Sequence, residues 1–382
     1  MTDDTLPIYL DHNATTPILP EVVEAMLPFL REHFGNPSSG HIFGRRAHDA
    51  IEHARCHVAG LIGAAVEEIV FTSGGTEANN LAIRGVMEAA GQGGRVVTSV
   101  IEHPATDQPC ARLERQGTHV VRLGVDVHGR VRLDEAERAI ALDTALVTVM
   151  HANNETGVLQ PIEPLAHLGH AAHAVVHTDA AQSLGKVPVN VDELGVDLLS
   201  VAGHKLYAPK GVGALYIRRG TRVAPFTLGA GHERGLRPGT ENVASVVGLG
   251  VACAAAVRDL DEAAARMQRL REELWERLVA AIPGLRLNGH PELRLPNTLN
   301  VRFPRVAGDA VLGGAPEVAA STGSACHAGH TTASAVITAM GVPAEEAMGS
   351  VRLTLGRHTS EDDIERAGAA LVRSWRAVTA ER

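Results

Sequence analysis

The stretch "DLLSVAGHKLYAPKGVGALYIR", residues 197–218, places a polar cluster between two short apolar runs. The runs "DLLSVA" and "GALYIR" have the composition of buried β-strands. The cluster contains Lys205 and Lys210, two of only three lysines among the 35 Lys and Arg residues. A lysine can lose its proton in a suitable pocket and become a nucleophilic amine, whereas a guanidinium stays charged. This stretch therefore predicts a strand that ends at a reactive amine.

The same alternation of apolar runs and helical stretches fills the first two-thirds of the chain. The other runs are "EIVFT", "RVVTSV", "HVVRL", "ALVTVM" and "AVVHT". The pattern predicts an α/β fold, with helices packed on a mostly parallel, seven-stranded sheet. From Glu241 to Ile282 helix formers predominate, which indicates one long helix or two with a bend near the glycines. Shorter strand candidates and a closing helix near "TSEDDIERA" predict a smaller α+β C-terminal domain.

Composition excludes several classes of protein. A net charge of −9 and 3% aromatic residues argue against a nucleic-acid binder, which would carry a basic stripe and stacking rings. The longest nearly unbroken apolar run, "VVGLGVACAAAV", is shorter than the roughly 18 residues that suggest a membrane span. The N-terminus lacks a basic segment followed by an apolar one, as a secretion signal requires. We therefore expect a cytoplasmic protein with a small-molecule partner and no membrane contact.

The spacing of the cysteines and histidines does not indicate a native metal site. The four cysteines are Cys56, Cys110, Cys253 and Cys326, and they form no CxxC pair. We expect them to be reduced, with Cys253 a packed small hydrophobe. The run "HLGHAAHAVVH" has histidines at ligand-like spacing, but it crosses from a helix into a strand, so the imidazoles should diverge.

Polar clusters follow five of the apolar runs: "SGGTEANN", "EHPAT", "HANNETG", "DAAQ" and "GHK". Ligands of open α/β sheets bind outside the carboxyl ends of the strands, so these clusters should meet at one site. Thr76 can cap a helix whose first N–H groups face an anion, a phosphate cradle, although a plain turn has the same composition. Asp179 suits pairing with the protonated ring nitrogen of pyridoxal phosphate, or it caps the next helix. We expect Lys186 and Lys210 to be surface or turn residues, with Lys210 lowering the pKa of Lys205.

A series of longer blocks runs through nearly the whole chain: "LDHNATTP", "GNPSS", "FTSGGTEANN", "EH" at 102 and 103, "HANNETG", "HTDAAQSLGK", "GHKLYAPKG", "HERGLRPGTEN", "PNTLNV" and "GSAC". In order and spacing these blocks resemble the cysteine desulfurases of the NifS/IscS type. Those are pyridoxal 5'-phosphate enzymes of fold type I in the class V aminotransferase superfamily. The resemblance implies the same fold, the same cofactor and conversion of L-cysteine to L-alanine.

The resemblance implies specific contacts with the cofactor ring. Lys205 matches the lysine that forms the Schiff base, which arginine cannot form at neutral pH. His103 matches the histidine that stacks on the ring and is implicated in proton transfer. Asp179 matches the partner of the pyridine nitrogen, and Gln182 matches the residue bonded to the phenolic oxygen.

The resemblance also implies contacts with the phosphate. Gly75, Thr76 and His204 match phosphate-binding positions. Thr240 matches a residue that reaches the phosphate of the neighbouring subunit, which implies a homodimer.

Substrate contacts and domain organisation follow from the same resemblance. Asn154 matches an asparagine near the cofactor and the substrate carboxylate, and Arg352 matches the arginine that grips that carboxylate. Cys326 matches the nucleophile, which becomes a persulfide and passes sulfur to an acceptor such as an iron–sulfur scaffold or a tRNA-thiolation protein. The implied domains are a large cofactor-binding domain, 16–257, and a small domain, 1–15 and 258–382, that carries the Cys326 loop at about 321–335.

The chain departs from the family pattern at two places. Ala202 stands where the family has a serine hydroxyl that contacts the phosphate, and "HAGHTTAS" replaces a stretch containing Glu-Pro-Ser. The chain also resembles selenocysteine lyases in "CHAGH", in the non-serine before "GHK" and in "RPGTEN", so L-selenocysteine is an alternative substrate. Two further alternatives stay open, a class V aminotransferase that has no need of Cys326 and a non-catalytic sulfur-relay protein.

Overall fold

The computed structural model describes residues 6–91, 93–322 and 332–380, so the predicted nucleophile Cys326 lies outside the described residues. The strands are Ile8–Tyr9 (β1), Ile69–Thr72 (β2), Arg95–Ser99 (β3), Val120–Leu123 (β4), Thr144–Thr148 (β5), Val175–Asp179 (β6), Leu198–Ala202 (β7), Gly213–Ile217 (β8), Arg286–Leu287 (β9), Thr298–Arg302 (β10), Val318–Ala319 (β11) and Ser350–Thr354 (β12). The α-helices are Pro20–Arg31 (α1), Ile42–Ile62 (α2), Gly75–Ala90 (α3), Pro104–Arg115 (α4), Leu133–Ala139 (α5), Ile162–Ala171 (α6), Val191–Leu194 (α7), Val243–Ala281 (α8), Gly308–Gly313 (α9), Ala335–Ala339 (α10), Ala344–Ala347 (α11) and Glu361–Ala380 (α12).

Seven strands form the main sheet, in the order β2-β8-β7-β6-β5-β3-β4. All seven predicted apolar runs are strands of this sheet. The strands are parallel to their neighbours except β8, which is antiparallel to both β2 and β7. β2 and β7 are buried along their whole length, as expected of strands covered by helices on both faces. The prediction of a mostly parallel, seven-stranded α/β sheet is confirmed.

The long helix α8 is one continuous helix of 39 residues, so the alternative of two helices is wrong. The glycines that suggested a bend serve packing instead. A Cβ atom at Gly250 would lie 2.6 Å from the Cα atom of Ala54 in α2, and one at Gly248 would lie 2.9 Å from the sulfur of Met26 in α1. The two glycines therefore let α1 and α2 approach α8 closely.

Among the described helices, α8 alone is long and apolar enough to cross a membrane by length and composition. The apolar run "VVGLGVACAAAV" alone did not indicate a helix of this length and hydropathy. Of its most apolar window, 56% is buried inside the protein. Core helices that are buried inside a protein can have the same length and composition, so these two properties of α8 do not indicate a membrane span.

A second, antiparallel sheet has the order β12-β10-β9, and β1 pairs in parallel with β11. A separate hydrophobic core fills the space between this sheet, the C-terminal half of α8, and α12; it includes Leu274, Val301, Leu353 and Leu371. The closing helix begins as predicted, because Ser360 Oγ accepts from the backbone N–H of Asp363 at 3.1 Å and Asp363 Oδ2 accepts from that of Ser360 at 2.8 Å.

A buried ion pair fastens the edge of the main sheet. The Arg55 guanidinium of α2 donates to both carboxylate oxygens of Glu233, each at 2.8 Å. The same carboxylate accepts from the backbone N–H of Phe71 at 2.8 Å, and Arg55 donates to the carbonyl of Ile69 at 3.0 Å. Arg234 donates to the same Ile69 carbonyl at 2.8 Å, so the pair and Arg234 together satisfy backbone groups on the open side of the edge strand β2.

We expect Glu233→Ala to lower the free energy of unfolding by about 3 kcal/mol, because it leaves the buried Arg55 guanidinium with only the part-exposed Glu52 carboxylate as an ionic partner and removes the acceptor of the Phe71 N–H. The measurement is urea unfolding followed by circular dichroism. The matched control is Asp134→Ala, which removes an exposed ion pair with Arg138 and should leave the midpoint unchanged. Equal midpoints for the two variants would contradict the structural role of the pair.

Candidate active site

The polar clusters after the strands meet around one cavity of about 660 Å³. The cavity lies at the carboxyl ends of β2, β3, β5, β6 and β7, as the parallel sheet requires. The predicted site residues that line it are Gly75, Thr76, His103, Asn154, Asp179, Gln182, His204, Lys205 and Arg352. Thr240 is exposed and does not line this cavity. Of the predicted site residues that the structure describes, all except Thr240 thus lie together at this cavity.

Lys205 lies in a single 3₁₀ turn that follows β7 directly. Its Nζ donates to the backbone carbonyls of Ala14, at 2.7 Å, and Asn13. Burial, and then the positive charge of Arg352, lower the pKa of Lys205 to about 8. We expected Lys210 to cause this shift, but Lys210 is exposed, and its charge contributes instead to the low pKa of His204. An appreciable fraction of the Lys205 amine is therefore neutral near pH 8.

Asp179 ends β6 with its carboxylate facing the cavity. One oxygen accepts from the Asn79 amide at 2.7 Å, and the other accepts from the backbone N–H of Ala181 at 2.9 Å. The alternative that Asp179 caps the next helix is wrong, because a turn follows β6 and the next helix begins at Val191; the carboxylate stabilises that turn and also borders the cavity. Sequence reasoning missed Asn79, although it belongs to the quoted block "FTSGGTEANN".

The N-terminus of α3 forms another wall of the cavity. Gly74 precedes the helix with φ at 147°, a conformation that favours glycine, and a Cβ atom at Gly75 would lie 3.1 Å from Ala202 Cβ. The expected cap by Thr76 is wrong, because Thr76 lies inside the first turn and no side chain caps the helix. The first N–H groups of α3 therefore keep their capacity to bind an anion.

Two imidazoles of the cavity wall are neutral at pH 7. Burial and the charge of Lys205 lower the pKa of His204 to about 4, and its Nδ1 lies 3.2 Å from Thr15 Oγ1. Loss of solvent also lowers the pKa of His103, whose Nδ1 accepts from the backbone N–H of Ala105 at 3.1 Å. Because Nδ1 accepts this bond, the neutral His103 ring carries its proton on Nε2, which can donate it.

Arg352, in β12, reaches the cavity from the second sheet. Its Nη1 donates to the carbonyl of Asn154 at 3.1 Å, and its Nη2 donates to the carboxylate of Asp11 at 2.8 Å. The Arg352 side chain is only 7% exposed, so these contacts hold the guanidinium in one position. Sequence reasoning missed Asp11, although it stands in the quoted block "LDHNATTP".

The N-terminal segment 11–16 was missed as part of the site. The carbonyl oxygen of Asn13 accepts from Lys205 Nζ and from Gln182 Nε2, the latter at 3.0 Å. The Asn13 side chain donates to Thr298 Oγ1 at 2.9 Å and accepts from Asn297 at 3.1 Å. The sequence pattern that could have indicated this segment is the same as for the five other clusters, because the polar run at 11–16 directly follows a short apolar run.

Lys186 lies in the turn after β6, as one of the two expected alternatives had it, but it is buried and not at the surface. It is 4% exposed, and its Nζ donates to the backbone carbonyl of Gln182 at 2.9 Å and to Gln182 Oε1 at 3.1 Å. Burial, and then the charges of Lys205 and Arg352, lower its pKa to about 7.

The described cysteines do not border the cavity. Cys110 and Cys253 are buried, and burial raises the pKa of both thiols, that of Cys110 to about 12. Cys253 is therefore the packed hydrophobe that we expected, and Cys56 is exposed. Within residues 6–91, 93–322 and 332–380, no group of three or more His, Cys, Asp or Glu residues is arranged to hold a metal ion.

The chain is similar to known proteins over nearly its whole length. It is 47% identical to the cysteine desulfurase IscS of Dictyoglomus turgidum, over 94% of this chain and 91% of that protein. It is 45% identical to the cysteine desulfurase NifS of Azotobacter vinelandii, over 94% of this chain and 90% of that protein. Its fold is similar to the solved structure of a NifS-like protein, with a TM-score of 0.90 and 36% identity over 98% of this chain and 100% of that one. Residues 8–367 match the aminotransferase class-V family, and the chain belongs to this family.

Proposed function

We propose that this protein is a pyridoxal-phosphate-dependent cysteine desulfurase that takes sulfur from L-cysteine, releases L-alanine and passes the sulfur through Cys326 to an acceptor. One observation carries the proposal. A single cavity contains a lysine amine of lowered pKa, a buried carboxylate and a fixed arginine, in a chain 47% identical to a named cysteine desulfurase.

The residues present fit pyridoxal phosphate. The uncapped N-terminus of α3 offers backbone N–H groups for the phosphate, with His204 beside it. Asp179 offers a carboxylate for the ring nitrogen, and Lys205 offers the amine for covalent attachment. When bound, the cofactor supplies an electron sink for the charge that develops at the substrate α-carbon.

The remaining chemistry belongs to the side chains. Arg352 presents a guanidinium that can bind the substrate carboxylate through two parallel hydrogen bonds. With its pKa near 8, Lys205 is neutral in about a tenth of molecules at pH 7, so it can accept the proton of the α-carbon. His103 is neutral and carries its proton on Nε2, so it can act as the donor in a proton transfer.

Cys326 would carry the sulfur. Its thiolate attacks the substrate sulfur, the new S–S bond forms as the carbon–sulfur bond breaks, and the electron pair left on the β-carbon takes a proton to give alanine. Covalent capture divides a difficult transfer into two easier steps. We propose an iron–sulfur scaffold or a tRNA-thiolation protein as the acceptor.

We also propose that the protein acts as a cytoplasmic homodimer. Thr240 is exposed and lies outside the cavity of its own chain, which supports a contact with the phosphate of the neighbouring subunit.

Lys205→Ala and Lys205→Arg should both lose covalently bound cofactor and lower alanine production about a thousandfold or more, because neither side chain is a nucleophilic amine. The measurements are the borohydride-reducible visible band and alanine released from L-cysteine. Arg138→Ala, which changes an exposed cation outside the cavity, is the control and should keep both. Substantial activity of the arginine variant would remove the assignment of Lys205.

The rate at which cofactor-free protein captures pyridoxal phosphate should rise with pH, with a midpoint near 8, because only the neutral Lys205 amine reacts. Arg352→Met removes a charge that lowers this pKa, so the midpoint should move to higher pH. Stopped-flow absorbance measures the rate, and Arg138→Met, which changes an exposed cation outside the cavity, is the control. A wild-type midpoint at the ordinary lysine value of about 10.4 would contradict the environment described for Lys205.

Asp179→Asn should keep the cofactor and lower turnover about 100-fold, because it removes the charge that keeps the ring nitrogen protonated. The amide oxygen can still accept from Ala181, so the thermal midpoint should change little. The measurements are turnover and thermal unfolding at matched cofactor content. Turnover within a few-fold of wild type would leave Asp179 as a turn-capping residue only.

A further inference from the structure

Lys186 is a buried cation for which the proposed chemistry gives no role. It follows β6 and is 4% exposed, and no ion pair of the described residues includes it. The charged groups that interact with it are also cationic, namely Lys205 and Arg352. Burying a positive charge among like charges is unfavourable. The location therefore indicates a functional role rather than stabilisation of the fold.

The contacts of Lys186 determine the orientation of one amide. The Lys186 amine donates hydrogen bonds to the side-chain oxygen Oε1 of Gln182, at 3.1 Å, and to the backbone carbonyl of Gln182, at 2.9 Å. At the other end, Gln182 Nε2 donates to the carbonyl oxygen of Asn13 at 3.0 Å. Because a backbone carbonyl only accepts, both partners require the same amide orientation. The Gln182 NH₂ group therefore lies on the side of Asn13 and Lys205.

The site suits lysine better than the arginine that the chain uses elsewhere. Arginine carries five N–H donors, whereas Lys186 meets two acceptors, both on Gln182. The surroundings are also close-packed, since a Cβ atom at the neighbouring Gly185 would lie 2.3 Å from the Leu206 side chain. A guanidinium at position 186 would leave donors buried and unpaired.

We propose that Lys186 is a positioning residue that acts through Gln182: it holds the amide so that Nε2 donates a hydrogen bond to the anionic ring oxygen of the cofactor bound in this cavity. The proposal rests on the proposed function, because it concerns the same cofactor. The contact does not depend on the protonation state of Lys186, since an amine and an ammonium both donate.

The test is a double-mutant cycle on the full-length protein loaded with pyridoxal phosphate. Lys186→Met is made in the wild-type and in the Gln182→Leu backgrounds, and the pH midpoint of the visible-absorbance transition of the bound cofactor is measured. The other titratable groups around Lys186 and the cavity stay the same in all four proteins: His12, His103, Asp179, His204, Lys205 and Arg352. Arg138→Met, which changes an exposed cation outside the cavity, is the control.

We expect Lys186→Met to raise the midpoint by about one pH unit, because an anionic oxygen that loses its donor holds the bound proton more tightly. Loss of the Lys186 charge acts in the same direction but equally in both backgrounds. The shift in the Gln182→Leu background should therefore be less than half as large. Arg138→Met should leave the midpoint unchanged.

Equal shifts in the two backgrounds, or no shift in either, would overturn the proposal while leaving the proposed function intact. A wild-type protein that binds no cofactor would overturn the proposed function itself, and with it this proposal. If Lys186→Met does not fold, Lys186→Gln replaces it under the same criterion, because its amide is one atom shorter and cannot reach Gln182.

Discussion

Asn13 connects the main seven-stranded sheet and the three-stranded sheet at the wall of the cavity, and its carbonyl oxygen is the central contact. It accepts from Lys205 and Gln182, which belong to the main sheet and its loops. The Asn13 amide and backbone N–H bind Thr298 of β10, at 2.9 Å, and Thr354 of β12, at 3.0 Å. Asn13 is 1% exposed, so these contacts are shielded from water. The segment therefore fixes the distance between the Lys205 amine and Arg352, which is the geometry that an amino-acid substrate requires.

The charges around Asn13 bear on two properties of the site, the pKa of the Lys205 amine and its suitability for anionic ligands. Lys186, Lys205 and Arg352 are close enough to affect one another, while Asp11 and Asp179 compensate them only in part. Burial and mutual repulsion lower the pKa of Lys205 to about 8 and that of Lys186 to about 7. The same excess of positive charge favours ligands that carry a phosphate or a carboxylate. The same group of charges thus keeps part of the Lys205 amine neutral and favours the anionic ligands of the proposed function.

The fold and most of the cavity could be predicted because their signals are local. Strands buried on both faces appear as apolar runs, and parallel strands bring the clusters at their ends to one edge. The contacts of the N-terminal segment have no such signal, because Asn13 and Thr354 are 341 positions apart. Burial of Lys186 was missed for the same reason, since only the folded chain surrounds it. The glycines of α8 were misjudged because close helix packing and a bend require the same residue.

The central claim is that sulfur leaves cysteine through Cys326, at the site built around Lys205. Alanine release by wild type and Cys326→Ala, measured anaerobically at equal cofactor content with L-cysteine and with L-selenocysteine, tests it most directly. A selenol is more acidic than a thiol and the carbon–selenium bond is weaker, so selenium can leave without a thiolate to capture it. We expect the variant to lose nearly all activity on L-cysteine and to keep some on L-selenocysteine. Undiminished turnover of L-cysteine by Cys326→Ala would contradict the account, and a wild type active only on L-selenocysteine would identify the protein as a selenocysteine lyase.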